Sequence, residues 1–501
     1  RGVPLEEVSG VGGGEGGPET LRKVLADFVE VERGARRLDE RPANGGSVLA
    51  GPPEQTTRGV ANECIVAEEL FEKQLGKGDQ RPDTTAASRA ESQPRKASAV
   101  LPRSPFGHLK KRAQRLGLWN LFLPKEYPQG AGLTNLEYAP LCEIMGRSLV
   151  LAPEVREFAP CFGDVSPNGD PAWVKNRRGP PKQRPAGNAS LTLGNQALAS
   201  SDATNIETRI ERHGDQYVIN GRKWWISGAG DPRCKLFVVA GKSEPDGKSA
   251  HARHSVVLVP AGTPGITVVR PLTVFGYDDA PFGHCEVLFK DVKVPAGNVV
   301  LGDGRGFEVM QGRLGPATSR RVSPRIHHCM RAVGVAERAL DAMLVRVSRR
   351  RAFGKLLAEQ GTILADIARS RVEIDQARHL VLSAAAAIDR YGAKRSMKQI
   401  AMAKAIVPSM VLRVIDRSIQ AHGAAGVGPD LPLAGLHAAV RTLRIADGEG
   451  VRGETRNAER PSAASAGPDE VHLMQIAKLE IRRTEELDRK ERNRKALAAK
   501  L

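Results

Sequence analysis

The strongest constraint on this chain is a change of hydrophobic period in its middle. From about Asp215 to Val300 apolar residues come in short runs parted by turn residues, and after Gly306 they recur at three- and four-residue spacing almost to the C-terminus. The first pattern belongs to strands, whose side chains alternate between faces, and the second to helices with one apolar stripe. KLFVVA, HSVVLV, GITVVRPLTV and CEVLF read as four strands, and YVINGRKWWI reads as a hairpin. Asn220-Gly221 stands at its tip, because both central residues of a type I′ turn need positive φ. Strands this short, separated by turns, build a compact barrel or sandwich. Helices are expected over His327–Arg349, Ala358–Tyr391, Met397–Gln420 and Pro432–Ile445, with Ile367, Ile374, Ala377 and Val381 on the buried face of the second. Four such helices in succession predict a bundle.

With 501 residues, 41% of them hydrophobic, the chain can bury two or three cores. Residues 1–105 form an expected N-terminal extension, mostly disordered, in which 1–60 and 76–105 carry too few large apolar side chains to pack. Ala61–Leu75 and Phe106–Leu116 show helical spacing, and a turn followed by an amphipathic helix is expected after Gly117. The formal charge of +18 attracts any anion, but only 4% of residues are aromatic and no basic stripe is interleaved with them, which argues against nucleic acid. Lys478–Lys500 mixes both signs of charge as a solvated helix face does. No window approaches the roughly 18 to 20 apolar residues of a membrane span, and RGVPLEEVSG is not a secretion signal. The first residue is Arg1 rather than Met, as in a processed or partial chain. Six cysteines, Cys64, Cys142, Cys161, Cys234, Cys285 and Cys329, lack CxxC spacing and point to a reducing compartment without a disulfide framework or zinc site. His327 and His328 are adjacent, so a helix turns them to different faces, and no further ligand stands at metal spacing. GDGRG at 302–306 lacks the strand, helix and distal acid of a dinucleotide loop and reads as a connecting turn.

Several longer stretches together resemble one family. These are ASSDATNIE (199–207), VINGRKWWISGAGDPRCK (218–235), RPLTVFGYDDAPFGH (270–284), RIHHCMRAVGVAERAL (325–340), RRAFGKLLAEQGTILADIA (350–368) and VIDRSIQAHGAAGV (414–427). They are similar to acyl-CoA dehydrogenases, in the branch often fused behind an aminoglycoside-phosphotransferase-like kinase domain. The likeness runs over roughly Gly117–Ser148 and Leu198–Arg483. It implies an α+β fold with an N-terminal helical domain (106–197, incomplete), a central β-barrel domain (198–305) and a C-terminal four-helix bundle (306–501). It also implies FAD, an acyl-CoA substrate oxidised to the trans-2-enoyl-CoA, an electron-accepting flavoprotein or oxygen, and a homodimer or homotetramer. Oxygen as acceptor would make the chain an acyl-CoA oxidase.

The site residues follow from the same resemblance. Ser200, Ser201, Trp225, Ile226 and Ser227 match the flavin-facing loop and strand, with Ser201 also touching the acyl-CoA. Arg350 and Phe353 match positions that clasp the pyrophosphate and adenosine of a neighbouring subunit's FAD, a task suited to the fixed donor fork of a guanidinium. Gln360 falls one residue before the family's FAD-contacting glutamine. Gln420, Gly423 and Gly426 match a Gly-rich turn against the neighbour's FAD, with Ala424 in place of one glycine. Pro468, Asp469 and Glu470 are expected among the cofactor contacts as well, and Arg325 and Gly448 match acyl-CoA contacts. Asp447 matches the catalytic base. In some relatives the base instead precedes the residue matching Arg325; here Pro324 occupies that place.

Three segments depart from the family. Glu154–Leu198 replaces helices ending in a Thr-Glu-Pro motif, with Gly194-Asn195-Gln196 where that motif would stand. Residues 317–324 replace a single Gly, and Glu449–Gly467 separates Ala446-Asp447-Gly448 from Pro468-Asp469-Glu470. All three lack periodicity, as unspliced or wrongly assembled sequence would, or as tolerated surface loops would; a chain so interrupted near its base is either an active dehydrogenase or an inactive flavoprotein or assembly partner that keeps the fold. The terminal Ala499-Lys500-Leu501 resembles a peroxisomal address, with the mitochondrion as the alternative. Transcript reads that span all three segments are the expected result if they are genuine loops; reads that skip them make them artefacts of assembly.

Overall fold

Seven strands carry the central part of the chain in the computed structural model, which describes residues 121–122, 131–148, 188–192, 206–231, 234–243, 252–278, 283–309, 324–445 and 468–498. They are β1 (Asn188–Thr192), β2 (Arg209–His213), β3 (Gln216–Ser227), β4 (Cys234–Lys242), β5 (His254–Pro260), β6 (Ile266–Leu272) and β7 (His284–Pro295). Their order is β1-β4-β2-β3-β7-β6, with β5 paired to β4. The four apolar runs expected as strands become β4, β5, β6 and β7. β4 and β5 read as unbroken apolar text because both of their faces are covered. Phe237, Val239, Val257 and Val259 join Ile219, Val287 and Phe289 in one core, whereas Leu236, Ala240, Val256 and Leu258 join Val300 and Phe307 in another.

The hairpin tip expected at Asn220-Gly221 is not there. β3 runs straight through that dipeptide, and its ladder to β7 shifts register between Ile219 and Gly221. Two contacts explain the residue types. A Cβ on Gly221 would lie 2.6 Å from Thr208 Oγ1. The Asp291 amide donates to Asn220 Oδ1 (2.8 Å), and Asn220 Nδ2 donates back to Asp291 Oδ1 (3.1 Å). The pair therefore marks a bulge rather than a turn. The true hairpin joins β2 to β3 through Gly214-Asp215, with Gly214 at φ 60° and His213 opposite Gln216, and a glycine first of two turn residues suits a type II′ turn. GDGRG is the connecting turn expected. It is pinned to β5 by the Gly304 amide donating to Ser255 Oγ (3.0 Å), and the Tyr217 hydroxyl donates to Asp303.

The remaining elements are helical: α1 (Asn135–Gly146), α2 (Pro324–Val347), α3 (Gly361–Tyr391), α4 (Met397–His422), the short α5 (Ala424–Val427), α6 (Leu433–Thr442), α7 (Asp469–Ile481) and α8 (Arg483–Ala498). The four expected helices correspond to α2, α3, α4 and α6. Pro324, read as the end of an interruption, is the first residue of α2, where its missing N–H leaves nothing unsatisfied. On α3, Ile374, Ala377 and Val381 are buried as the spacing predicts, while Ile367 is half-buried near the end of the helix. The expectations for 1–120 and for most of 149–205 fall outside the described residues. All described residues belong to one unit, Ala61–Leu501. Among them no helix is long and apolar enough to cross a membrane, and Cys142, Cys234, Cys285 and Cys329 are buried outside any disulfide.

α1 is held by local and distant groups together. Thr134 and Glu137 form a capping box, and Asp389 of α3 accepts from the amides of Asn135 and Leu136 (both 2.9 Å), placing a carboxylate at the positive end of the helix dipole. Against α2 the two backbones nearly touch: a Cβ on Gly334 would lie 1.9 Å from the Glu143 carbonyl oxygen. Beside that contact, Arg371 holds Glu337 with two bonds of 2.7 and 2.8 Å, and Arg378 bridges Glu337 to Glu143. Burial pushes the Glu337 carboxyl up, but hydrogen bonds and charge from Arg371 and Arg378 outweigh it and leave the group below its ordinary 4.5.

Gly334→Ala is expected to cost about 1–3 kcal/mol by overpacking, read as a lower denaturant midpoint, while Gly262→Ala, with open space at its Cβ, leaves the midpoint unchanged. Glu337→Gln is expected to cost about 1.5–3 kcal/mol near neutral pH, the range for hydrogen bonds to a charged group. Because the folded carboxyl titrates below the unfolded one, its contribution is complete above pH 4.5 and disappears as pH falls through the depressed value. Unfolding curves of wild type and variant should therefore converge in acid.

Candidate active site

Past Lys223 the β3–β7 ladder slips again. Lys223 faces Val287 and Ile226 faces Cys285, so Trp224 and Trp225 together oppose the single residue Glu286. This bulge re-aims the chain. Trp225 takes φ 53°, a region that bulky residues avoid, and stands 41% exposed, while the next residue, Ile226, is buried in the main core. Ser227 pairs across the strands with His284, and its Oγ lies 2.8 Å from His284 Nδ1. The Trp225 and His284 rings are 5.5 Å apart. Glu286 is wholly buried beneath the bulge and is gripped by Arg222 and by Arg270 (2.7 Å). Lys223 is also wholly buried, with no hydrogen-bond partner for Nζ among the described residues, and burial pulls its ammonium down to about 7. Lys404, equally buried, donates to the Leu443 carbonyl at 2.6 Å.

A second group of expected residues meets at one end of the bundle. Arg346 Nη2 donates to the His422 carbonyl (3.3 Å), which joins the C-terminal ends of α2 and α4. Gly423 ends α4 at φ 67°, and Gly426 lies so close that a Cβ there would sit 2.5 Å from the Ile419 carbonyl oxygen. Ala424, standing for a glycine, is the first residue of α5, a helical conformation that costs alanine nothing. Gln420 is exposed on the last turn of α4. Just beyond α2, β8 (Arg351–Ala352) and β9 (Lys355–Leu356) form a hairpin whose two turn residues, Phe353 and Gly354, have φ 52° and 80°. This is the double positive φ of a type I′ turn, here with an aromatic in the strained place, and Phe353 is 100% exposed. Arg350 is exposed at the foot of the hairpin, and Gln360 is the half-buried residue before α3, making no capping bond.

The third region is the junction of α6 and α7. The Asp469 amide donates to the Arg444 carbonyl (3.1 Å), and Arg444 Nε donates to Asp469 Oδ2 (2.6 Å). The chain on either side of 446–467 is therefore joined by direct hydrogen bonds. Pro468 precedes α7, and Asp469 and Glu470 fill its first turn, where the helix dipole favours acids. Asp469 is committed to Arg444, and Glu470 is exposed. Ser200, Ser201, Asp447 and Gly448 lie outside the described residues, as does the side chain of Arg325, the second residue of α2.

Residue reading had missed His284, Arg346 and Arg444. His284 ends the stretch RPLTVFGYDDAPFGH, but which residue faces Ser227 depends on a bulge that no periodicity announces. Among the described residues no group of three His, Cys, Asp or Glu side chains converges as metal ligands would. His327 is packed edge-on against Tyr138, and burial pushes it down to about 3; His328 Nδ1 lies 2.8 Å from Arg331 Nη2.

The family model for the acyl-CoA dehydrogenase C-terminal domain matches residues 304–451, and that for the middle domain matches 196–292. FadE2 of Mycobacterium tuberculosis (strain ATCC 25618 / H37Rv), named as a probable acyl-CoA dehydrogenase, is 47% identical over 384 residues that take in 75% of this chain and 85% of that protein. The chain belongs to the acyl-CoA dehydrogenase family. Acyl-CoA dehydrogenase family member 10 of Mus musculus is 50% identical over 387 residues, and IBR3 of Arabidopsis thaliana, named as a probable acyl-CoA dehydrogenase, is 45% identical over 412. These alignments take in 75% and 76% of this chain but only 33% and 46% of those longer proteins. A solved structure of the family from Mycobacterium abscessus is 36% identical, with TM-score 0.68, covering 87% of this chain and all of that one. The cofactor of the family is FAD. Trp225, exposed beside the Ser227 hydroxyl, and Arg350, exposed at the foot of the hairpin, offer an aromatic face and a guanidinium, groups whose chemistry fits a flavin ring and a pyrophosphate.

Because Arg444 and Asp469 already meet, excising Glu449–Gly467 is expected to leave the fold intact, with a thermal midpoint equal to or above wild type, since a shorter loop costs less to close. A collapse of the midpoint would show instead that the excised residues hold the junction.

Proposed function

We propose that this chain is an FAD-dependent dehydrogenase that converts an acyl-CoA to the trans-2-enoyl-CoA, with Asp447 removing the α-proton. The observation that carries the reading is the edge Trp225–Ile226–Ser227, where one bulge seats Ile226 in the core and leaves an aromatic face and a hydroxyl beside it. Bound FAD would lie along this edge with Ser200 and Ser201 near it. Arg350, Phe353 and Gln360 would reach a neighbouring copy's FAD in a homodimer or homotetramer, and Gln420, Gly423, Gly426, Pro468, Asp469 and Glu470 would border that same cofactor. Full exposure of Phe353 on a strained turn supports this, because a surface aromatic held at a conformational cost gains by being covered.

The flavin, when bound, supplies the hydride acceptor. Asp447 must be a stronger base than a free aspartate, and exclusion of water by the acyl chain raises its proton affinity in that direction. Arg325 and Gly448 would seat the thioester. Reoxidation by a flavoprotein carrier is the reading favoured over oxygen. The 50% identity with the mouse protein supports placement in the kinase-fused branch, and Ala499-Lys500-Leu501 supports delivery to peroxisomes rather than mitochondria.

The test is the visible spectrum of the purified chain before and after anaerobic addition of an acyl-CoA panel. Bound flavin bleached by one thioester is expected, with no peroxide formed when air is admitted in the presence of a flavoprotein acceptor. Asp447→Asn is expected to keep the flavin while slowing bleaching by about 10²–10⁴-fold. Folded protein without flavin, or flavin that no acyl-CoA bleaches, would replace this reading with an inactive relative that keeps the fold.

A further inference from the structure

We infer that His284 is a positioning residue for the flavin site, aiming the Ser227 hydroxyl through their 2.8 Å contact; this rests on the placement of FAD along Trp225–Ser227 proposed above. Three observations converge on it. The two residues are a cross-strand pair at the end of the β3–β7 ladder, so the backbone fixes their side chains on the same face of the sheet. The Gly228 amide donates to the Gly283 carbonyl (2.9 Å), which ties the strand ends together immediately beside the pair. The Trp225 ring stands 5.5 Å from the imidazole, so the aromatic that the bulge turns outward also packs against the group that contacts the serine.

A serine hydroxyl has one proton and two lone pairs, so the role it takes toward one partner limits what it can offer another. If it donates to an unprotonated Nδ1, only lone pairs remain for a second partner; if Nδ1–H donates to it, its own proton is directed to that partner. His284 thereby decides whether Ser227 offers the flavin a donor or an acceptor. Oxidised and reduced flavins differ in this respect, because the central nitrogen accepts in one and donates in the other. The choice therefore acts on the balance between the two forms and not simply on affinity. Leucine cannot make it, whereas asparagine places an amide where Nδ1 stands.

The measurement is the oxidised-to-reduced ratio of bound flavin at equilibrium with a reference dye, for holoprotein carrying Ser227→Ala, His284→Leu, His284→Asn or the Ser227→Ala/His284→Leu pair. Ser227→Ala and His284→Leu should shift the ratio in the same direction by roughly fivefold, the equivalent of one net hydrogen bond. The double variant should shift no further than either single one, and His284→Asn should stay within about twofold of wild type. The inference is overturned if Ser227→Ala shifts the ratio while His284→Leu does not, or if the two shifts add. A ratio unmoved by Ser227→Ala itself overturns the flavin placement and this inference with it. Circular dichroism on each variant separates all of these outcomes from a failure to fold.

Discussion

The β3–β7 ladder has to close a core and present a site on the same stretch of backbone, and strict strand alternation cannot do both. Had pairing continued in register past Lys223, Trp225 would have followed it inward and Ile226 would have faced solvent. The bulge over Glu286 reverses that: Ile226 is buried among Val287 and Phe289, and Trp225 is turned outward at φ 53°. A non-glycine residue in that region costs about 1–3 kcal/mol. The cost is offset locally, because burying one isoleucine contributes about as much. The buried Glu286, fixed between Arg222 and Arg270, anchors the partner strand where the extra residue must be accommodated.

The helical part solves a different problem by proximity. Gly146 and Gly334 let α1 and α2 approach until their backbones touch, and a contact that close leaves no room for side chains between them. The ionic groups are therefore arranged around its rim, where Arg378 reaches both Glu143 and Glu337. The far end of α2 is left exposed, with Arg349, Arg350 and Phe353 unburied beside the glycine-ended α4. That exposed end is the surface on which the proposed contact with a neighbouring copy would fall.

The fold was largely legible because its two halves differ in period. KLFVVA and HSVVLV announced strands covered on both faces, and the spacing of Ile374, Ala377 and Val381 announced the buried stripe of α3. Asn220-Gly221 misled because the same two residues that favour a type I′ turn also serve a bulge, where close approach to Thr208 rather than positive φ demands the glycine. The type I′ turn that does exist has Phe353 in its first place, contrary to any propensity. Of the candidate site, residue types could be matched to a family but their neighbours could not: His284 meets Ser227 only after the ladder has slipped, and Arg444 meets Asp469 across 25 positions of sequence.

That last pairing separates stability from catalysis. The Arg444–Asp469 clasp closes the chain on itself whatever stands between, and loop-closure entropy grows only slowly with length, so a long segment there is thermodynamically tolerable. Chemistry is less forgiving. Asp447 is three residues from one jaw of the clasp, and with Glu449–Gly467 removed it would stand close to the other jaw as well, held from both sides. With the segment present, the Asp469 jaw is 22 positions away from it in sequence. A base displaced by about 1 Å can forfeit on the order of a hundredfold in rate while the fold registers nothing. The same clasp that makes the interruption harmless to the bundle thus leaves Asp447, the base proposed above, as the group most sensitive to it.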